Sequence, residues 1–436
     1  MKINASLILL MSLFIATNIA YAHNRVVVVP LAGEDIKPLK NIVTVAKENG
    51  DFDEPIAAMN SINDASVDNP YLMVIAPGIF QLSASLQMKN HVSIAGSGQG
   101  VTTLTGAFLQ GSDLASAALL IAPDGADVSA SIQDLSIDII SGFRASGIAF
   151  DGDSGHFLVS DVDIKVNSSA EVAGIWSDNP VDSSLLELVN VSIDVRRANN
   201  LAGIIASSAS LNNVAIHAHD GNNIQTGIRM RPGAIRSSKN VRILVENGTG
   251  TQYGISAACF SSFAWLEYRD MIITVKDGKK DQYGLFSSRC RYLIRNLEIN
   301  VTGGSKNQYG ISVDSDDTRI QHTDIEVSGG ASSTNYGVHN RSTSTSRASK
   351  ISISNSNISV RGLTSGIGVM NVNEIDTAEI RQTFISATNH ALQANIGFGG
   401  NESFVSHSIL NGAVTGSPVC ASAFESTGPA LDASCQ

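Results

Sequence analysis

A glycine followed by an aliphatic residue returns along the chain at Gly147, Gly174, Gly203, Gly227, Gly254, Gly284, Gly310, Gly337 and Gly366, with a mean spacing of about 27 residues. A fixed period of this size means stacked supersecondary units rather than one globular core. Each marker is accompanied by a second strand with apolar residues at every other position: Leu135-Ile137-Ile139, Val162-Ile164-Val166, Val191-Ile193-Val195, Val214-Ile216-Ala218, Val241-Ile243-Val245, Met271-Ile273-Val275 and Leu297-Ile299-Val301. Ile325-Val327 and Ile358-Val360 continue the series. Two short β-branched strands per unit, separated by Gly, Ser, Asn and Asp, do not form helices, and units this short bury no apolar face alone. Winding the chain so that each unit is one turn places equivalent strands side by side in parallel, about 4.8 Å apart, with aliphatic ladders inside. The predicted fold is therefore all-β: a single-stranded right-handed parallel β-helix of about 11 coils, its hand following from the crossover rule. A leucine-rich-repeat horseshoe is disfavoured, because its Leu-x-x-Leu-x-Leu pattern and its helices are absent.

The ends depart from the period. Residues 1–22 combine Lys2, an apolar run from Leu7 to Ile15 and small residues at Ala20 and Ala22, the pattern of a secretory leader cut between Ala22 and His23. The expected location is secreted or periplasmic. Residues 23–65 are expected to hold a strand and a capping helix at Asp53-Glu54-Pro55-Ile56-Ala57-Ala58-Met59, with Asp53 as N-cap and acid in the first turn. Residues 66–411 form the predicted β-helix, and 412–436 a tail that plugs its end. Four cysteines suit an oxidising compartment; Cys259 with Cys290, on adjacent coils, and Cys420 with Cys435, in the tail, are the expected pairs.

Near the N-terminus, Val43-Thr44-Val45-Ala46-Lys47, Gly50-Asp51-Phe52, Ile56-Ala57-Ala58-Met59, Val74-Ile75-Ala76-Pro77-Gly78-Ile79-Phe80 and Val92-Ser93-Ile94-Ala95-Gly96-Ser97-Gly98 together resemble the opening of pectin methylesterases. The resemblance spans residues 43–106 and implies the pectin-lyase-like β-helix fold. The Asp-Phe-Ile-Phe-Gly strand, the strand-end glutamines and the Gly-Arg-Pro-Trp segment of that family are absent; Arg231-Pro232 is followed by Gly233. The paired Asp, His-Gly and Arg-Ile-Lys motifs of polygalacturonases are missing as a set, so neither chemistry is carried over. Gly96-Ser97-Gly98-Gln99-Gly100 precedes a strand, Val101-Thr102-Thr103-Leu104, instead of the helix a phosphate loop needs.

If the aliphatic residue after each marker points inward, the second and fourth residues after it point outward. The outward strip then gathers Trp176, Phe286 and His339 as candidate ligand-binding residues, with Arg229 and Arg231 beside them and Asp151 next to Asp178. Flat rings suit sugar faces, and guanidinium or carboxylate groups suit hydroxyls and uronates. Two carboxylates about 5 Å apart are candidates for acid and nucleophile, or for a Ca²⁺ site in a lyase. Asp151, Asp178, Arg229 and Arg231 are the candidate catalytic set, with ordinary surface charges as the alternative reading. His217-Ala218-His219-Asp220 sets two imidazoles on one strand face at a spacing able to hold a metal, while the columns Asp138, Lys165, Asp194, His217 and Arg196, His219, Glu246, Lys276 explain the same residues as alternating charge between coils. Tyr253, Tyr283, Tyr309 and Tyr336 precede four successive markers and read as a structural stack of rings.

With 29 Lys plus Arg against 40 Asp plus Glu, the formal charge is −11, which argues against nucleic acid as partner. No stretch after the leader is apolar enough to enter a membrane. The leading expectation is an exported, non-catalytic β-helix that binds polysaccharide or surface glycan, or presents a surface to another cell or protein. The alternative is a polysaccharide lyase or glycoside hydrolase on the same fold. An adhesin is a third reading, without a C-terminal barrel or anchoring helix to support it. No cofactor is expected, oligomeric state is left open, and the segments from Gly106 to Ala118 and from Asn389 to Glu402 interrupt the repeat where function often resides.

Overall fold

The computed structural model describes residues 41–106, 112–122, 128–150, 155–177, 184–258, 265–288, 291–314, 317–330, 334–341, 350–371, 377–394, 403–416, 418–421, 423–425, 431–432 and 435. The chain is a parallel β-helix of about 12 turns, one more than the repeat count gave. The predicted leader and its cleavage site, Asp151, Asp178, Cys259 and Cys290 lie outside the described residues. Among the described residues no helix is long and apolar enough to cross a membrane.

One coil illustrates the rest. The strand Ser184–Arg196 bends at Asn190, which sits at φ 54°, so residues 184–189 form one face of the coil and 191–196 a second. A further left-handed residue, Arg197, turns the chain into the strand Asn200–His219, whose first residues form the third face. Asn and Asp tolerate the left-handed region better than other side-chain-bearing residues. They occupy the first corner at Asp134, Asp161, Asn190, Asn213, Asn240, Asp270 and Asn296. Their side chains also stitch the coils together: Asn190 donates to Asp161 (3.0 Å), Asn213 to Asn190 (2.8 Å) and Asn240 to Asn213 (2.8 Å).

The alternation of the second face does what its sequence requires. Val162, Ile164 and Val166 stand in register with Val191, Ile193 and Val195, and those with Val214, Ile216 and Ala218, all buried. The marker glycines lie opposite this aliphatic ladder. A Cβ on Gly174 would stand 2.2 Å from Ile193 Cγ2 and 2.6 Å from Gly203 O, so the close approach of two faces, and not turn geometry, demands glycine there. In the coil after Gly337 the marker is Gly368 rather than Gly366: Val338 pairs with Val369, and a Cβ on Gly337 would meet Gly368 O at 2.5 Å. Both glycines precede an aliphatic residue, which is why the sequence pattern alone selects the wrong one.

Buried amides accompany the aliphatic core. Gln225, Gln252, Gln282 and Gln308 stack inside successive coils with amide contacts of 2.7, 2.7 and 3.1 Å, and Asn335 takes the next position. Gln252 and Gln282 each find an amide partner on the coil above and on the coil below, as burial of a polar group demands.

The ends are built differently from the sequence expectation. The capping helix runs Pro55–Ser61 with Glu54, not Asp53, at the N-cap, no side-chain cap and no acid in its first turn. Burial of Pro55, Ala58 and Met59 holds it instead, against the strands Asn41–Val45, Tyr71–Ile75 and Leu86–Gln87. Pairing already begins at Asn41 with Tyr71 and continues beyond residue 411, where Val419–Ala421 stacks on Phe404–Ser406 and Phe424–Glu425 on Ile409–Leu410. A disulfide joins Cys420 and Cys435, whose Cα atoms are 5.3 Å apart.

Candidate functional site

The outer surface of the third face carries two adjacent columns. One runs Ala149, Trp176, Ile205, Arg229, Ser256, Phe286, Ser312, His339 and Met370, each in register with the next. The other runs Ala202, Thr226, Tyr253, Tyr283, Tyr309, Tyr336 and Ile367.

At the N-terminal end this surface is covered. Leu114 and Ala118 pack on Ala149, Ala173, Trp176, Ala202 and Ile205 as a small apolar cluster separate from the main core, leaving Trp176 only 8% exposed. Trp176 therefore offers no open ring to a sugar, contrary to its assignment from the outward pattern. The cover is a turn held by Asp113, whose carboxylate accepts from the Ser116 amide (2.9 Å) and hydroxyl (2.8 Å). Those bonds hold the Asp113 carboxyl below the usual carboxylate range. Ser146 fastens the turn to the coil, its hydroxyl donating to Leu114 O (2.6 Å) and its amide to Ala117 O (3.0 Å); Arg144 donates to Ser112 O and pairs with Glu171 (3.2 Å).

Where the cover stops, a cleft of about 230 Å³ opens, lined by Leu114, Glu171, Leu201, Ile205, Thr226 and Arg229 among others. Arg229 is exposed at its edge and has no hydrogen bond or ion pair among the described residues. Arg231 does not join it in a stacked strip. Pairing shifts from Ala206–Met230 to Ser208–Ala234, so residues 231–233 form a bulge and Arg231 is half-buried there.

Beyond the cleft the surface is aromatic. Tyr253, Tyr283, Tyr309 and Tyr336 stack at centroid spacings of 5.0, 4.6 and 4.9 Å with their planes nearly parallel. Phe286 meets Tyr253 and Tyr283 edgewise at 5.6 and 5.4 Å, and His339 meets Tyr309 and Tyr336 at 5.3 and 4.8 Å. The tyrosines and Phe286 are half-buried, so their outer edges face solvent. Burial raises the Tyr253 and Tyr283 hydroxyl pKa values and pushes Tyr309 up to about 12, keeping the hydroxyls as neutral donors. His339 is buried beside Arg341; desolvation, then the guanidinium charge, lower its pKa to about 4. Among the described residues its Nδ1 has no partner.

The strip brings together Phe286, His339 and Arg229 on one face, removes Trp176 from solvent, and adds the tyrosine stack that sequence reading assigned to structure alone. Thr226 and Glu171, which line the cleft, were not anticipated; Thr226 occupies the tyrosine column one coil early, a signal visible only after alignment of the repeats. His217 and His219 lie on the second face, away from this strip.

No family model matches the chain, and no curated protein matches it in sequence. Solved structures with a similar course of chain include the A-module of mannuronan C-5 epimerase AlgE6 from Azotobacter vinelandii (14% identity, 83% of this chain and 95% of that one, TM-score 0.43). The catalytic domain of a GH87 alpha-1,3-glucanase in complex with tetrasaccharides is another (14%, 92% and 70%, TM-score 0.42), as is a family 28 exopolygalacturonase from Yersinia enterocolitica (10%, 86% and 79%, TM-score 0.38). By its own strand register the chain is a parallel β-helix, the fold implied by the resemblance at residues 43–106.

Proposed function

We propose that this protein binds a polysaccharide chain along the outer surface of its third face, in the cleft at Arg229 and over the aromatic strip that follows. The observation that carries this reading is the continuity of half-exposed rings from Tyr253 to Tyr336, with the exposed Arg229 guanidinium, which has no partner among the described residues, at one end. From Arg229 to His339 there are four coil steps, about 19 Å at the usual strand spacing, a length that accommodates several sugar units. The outward ring edges meet the apolar faces of pyranosides, and Arg229 suits a carboxylate or hydroxyl pair. A secreted or periplasmic location is part of the proposal.

The test is affinity electrophoresis of the purified chain against uronate-containing and neutral polysaccharides with Ca²⁺ present, while unsaturated products and reducing ends are followed. Retardation by a glycan, weakened by Phe286→Ala and by Arg229→Ala, supports the reading. Turnover would assign the lyase or hydrolase alternative. Neither retardation nor turnover with any glycan would sink both.

A further inference from the structure

The second face carries an arrangement that glycan binding does not use. His217 and His219 alternate outward on one strand, with Asp194 in register with His217 on the preceding coil and Glu246 in register with His219 on the following one. The contacts cross this register: His219 Nε2 lies 3.0 Å from Asp194 Oδ1, and His217 Nε2 lies 2.9 Å from Glu246 Oε1. The rings stack at 4.2 Å. One donor atom from each of Asp194, His217 and His219 lies within 4.8 Å of the other two. Around these sit two further groups: Asp220 Oδ2 is 2.9 Å from His219 Nδ1, and Lys276 Nζ is 2.8 Å from Glu246 Oε2.

The geometry points to a site for one Zn²⁺-like divalent ion, held by His217, His219 and Asp194, with Glu246 beside His217 at its rim. Three features support it. First, with Nδ1 donating to Asp220, the His219 Nε2 faces the Asp194 carboxylate as one acceptor facing another, unless a cation lies between them; that cation is either a second proton or a metal ion. Second, an imidazole whose far nitrogen donates to a carboxylate is the usual support of a metal-bound histidine, fixing its tautomer and orientation. Third, bonds of about 2.0–2.2 Å in a tetrahedron place donor atoms roughly 3.4 Å apart, and the donors of Asp194, His217 and His219 already lie within 4.8 Å of one another. Two imidazole nitrogens beside one carboxylate oxygen select borderline ions over Ca²⁺. His217 and Asp194 are about one-third exposed while His219 and Glu246 are more deeply set, leaving the ion a path from solvent.

The test uses the untagged chain, stripped with chelator, titrated with Zn²⁺ by calorimetry and with Co²⁺ by visible absorption. One ion per chain is expected. His217→Ala and His219→Ala should each weaken binding at least tenfold. Asp220→Asn, which removes no proposed ligand, should weaken it about tenfold or more. His156→Ala, removing a histidine paired with Glu187 on another face, should change nothing. Circular dichroism of each variant separates misfolding from lost ligation, and Asp220→Asn, on an exposed side chain, keeps the test sound if a histidine variant fails to fold. Absence of one-to-one binding by the parent chain, or unchanged binding in both histidine variants, overturns the site.

Discussion

A Cβ on Gly254 would stand 2.2 Å from Ile273 Cγ2, the same separation that Gly203 has from Ile216 and Gly227 from Ile243. The third face approaches the second so closely that a methyl group has no room, and a carbonyl of the next coil, Gly284 O, lies 2.5 Å away on the other side. Because backbone rather than a flexible side-chain end blocks one direction, relief requires the coils to part. Gly254→Ala should destabilise the protein by about 1–3 kcal/mol, the usual range for overpacking. Urea unfolding followed by circular dichroism checks it; a midpoint equal to that of the parent would contradict the close approach.

The cover over Trp176 should respond to both sequence and pH. Leu114→Ser should expose the indole and shift its fluorescence to the red, with Trp265 as the internal reference, since the chain has two tryptophans and Trp265 already lies at the surface beneath Arg319. Asp113 has a lowered folded-state pKa, so its hold on the turn is present above the ordinary carboxylate range and is lost as pH falls through the folded value. The same red shift is expected on acidification, and Asp113→Asn should show part of it already at neutral pH.

His339 should remain a neutral imidazole down to about pH 4, because burial and then Arg341 disfavour the charged form. Its linkage has a definite sign. Between the ordinary histidine value and about 4, the unfolded chain takes up a proton that the folded chain refuses, so stability falls as pH falls across that window and this contribution levels off below it. NMR titration of the ring reads the folded value directly, and His339→Asn should flatten the pH dependence of the unfolding midpoint in that range.

Phe286→Ala should weaken glycan binding about threefold to tenfold, in keeping with about 0.5–1.5 kcal/mol for one aromatic contact, without altering the coil. Tyr283→Ala should cost both affinity and stability, since its ring is sandwiched between Tyr253 and Tyr309. Comparing dissociation constants with unfolding midpoints for the two variants separates ligand contact from stacking; equal losses of stability in both would argue against an outer role for Phe286.

Gln282→Leu should destabilise by about 1–3 kcal/mol, because the buried amides of Gln252 and Gln308 each lose a partner. Thermal unfolding of this variant beside Gln282→Asn, which keeps an amide but shortens its reach, distinguishes lost hydrogen bonding from lost volume.

The period of the glycines and the alternation of Val162-Ile164-Val166 and its equivalents determined the parallel β-helix, because side chains of period two can be buried only if every coil lies in register with the next. That same register places Arg229, Ser256, Phe286, Ser312 and His339 in one outward column, legible from the spacing of the repeats. What the repeat does not encode is what lies over that column. The segment around Leu114 breaks the period, and only the folded chain sets it on Trp176, where seven apolar residues bury one another outside the main core. The cross-paired contacts of His217 with Glu246 and His219 with Asp194 were equally hidden, since register fixes which backbones are neighbours while side-chain torsions choose the diagonal. Local periodicity determines strands and faces; contacts between segments far apart in sequence decide which outward residues remain open to a ligand.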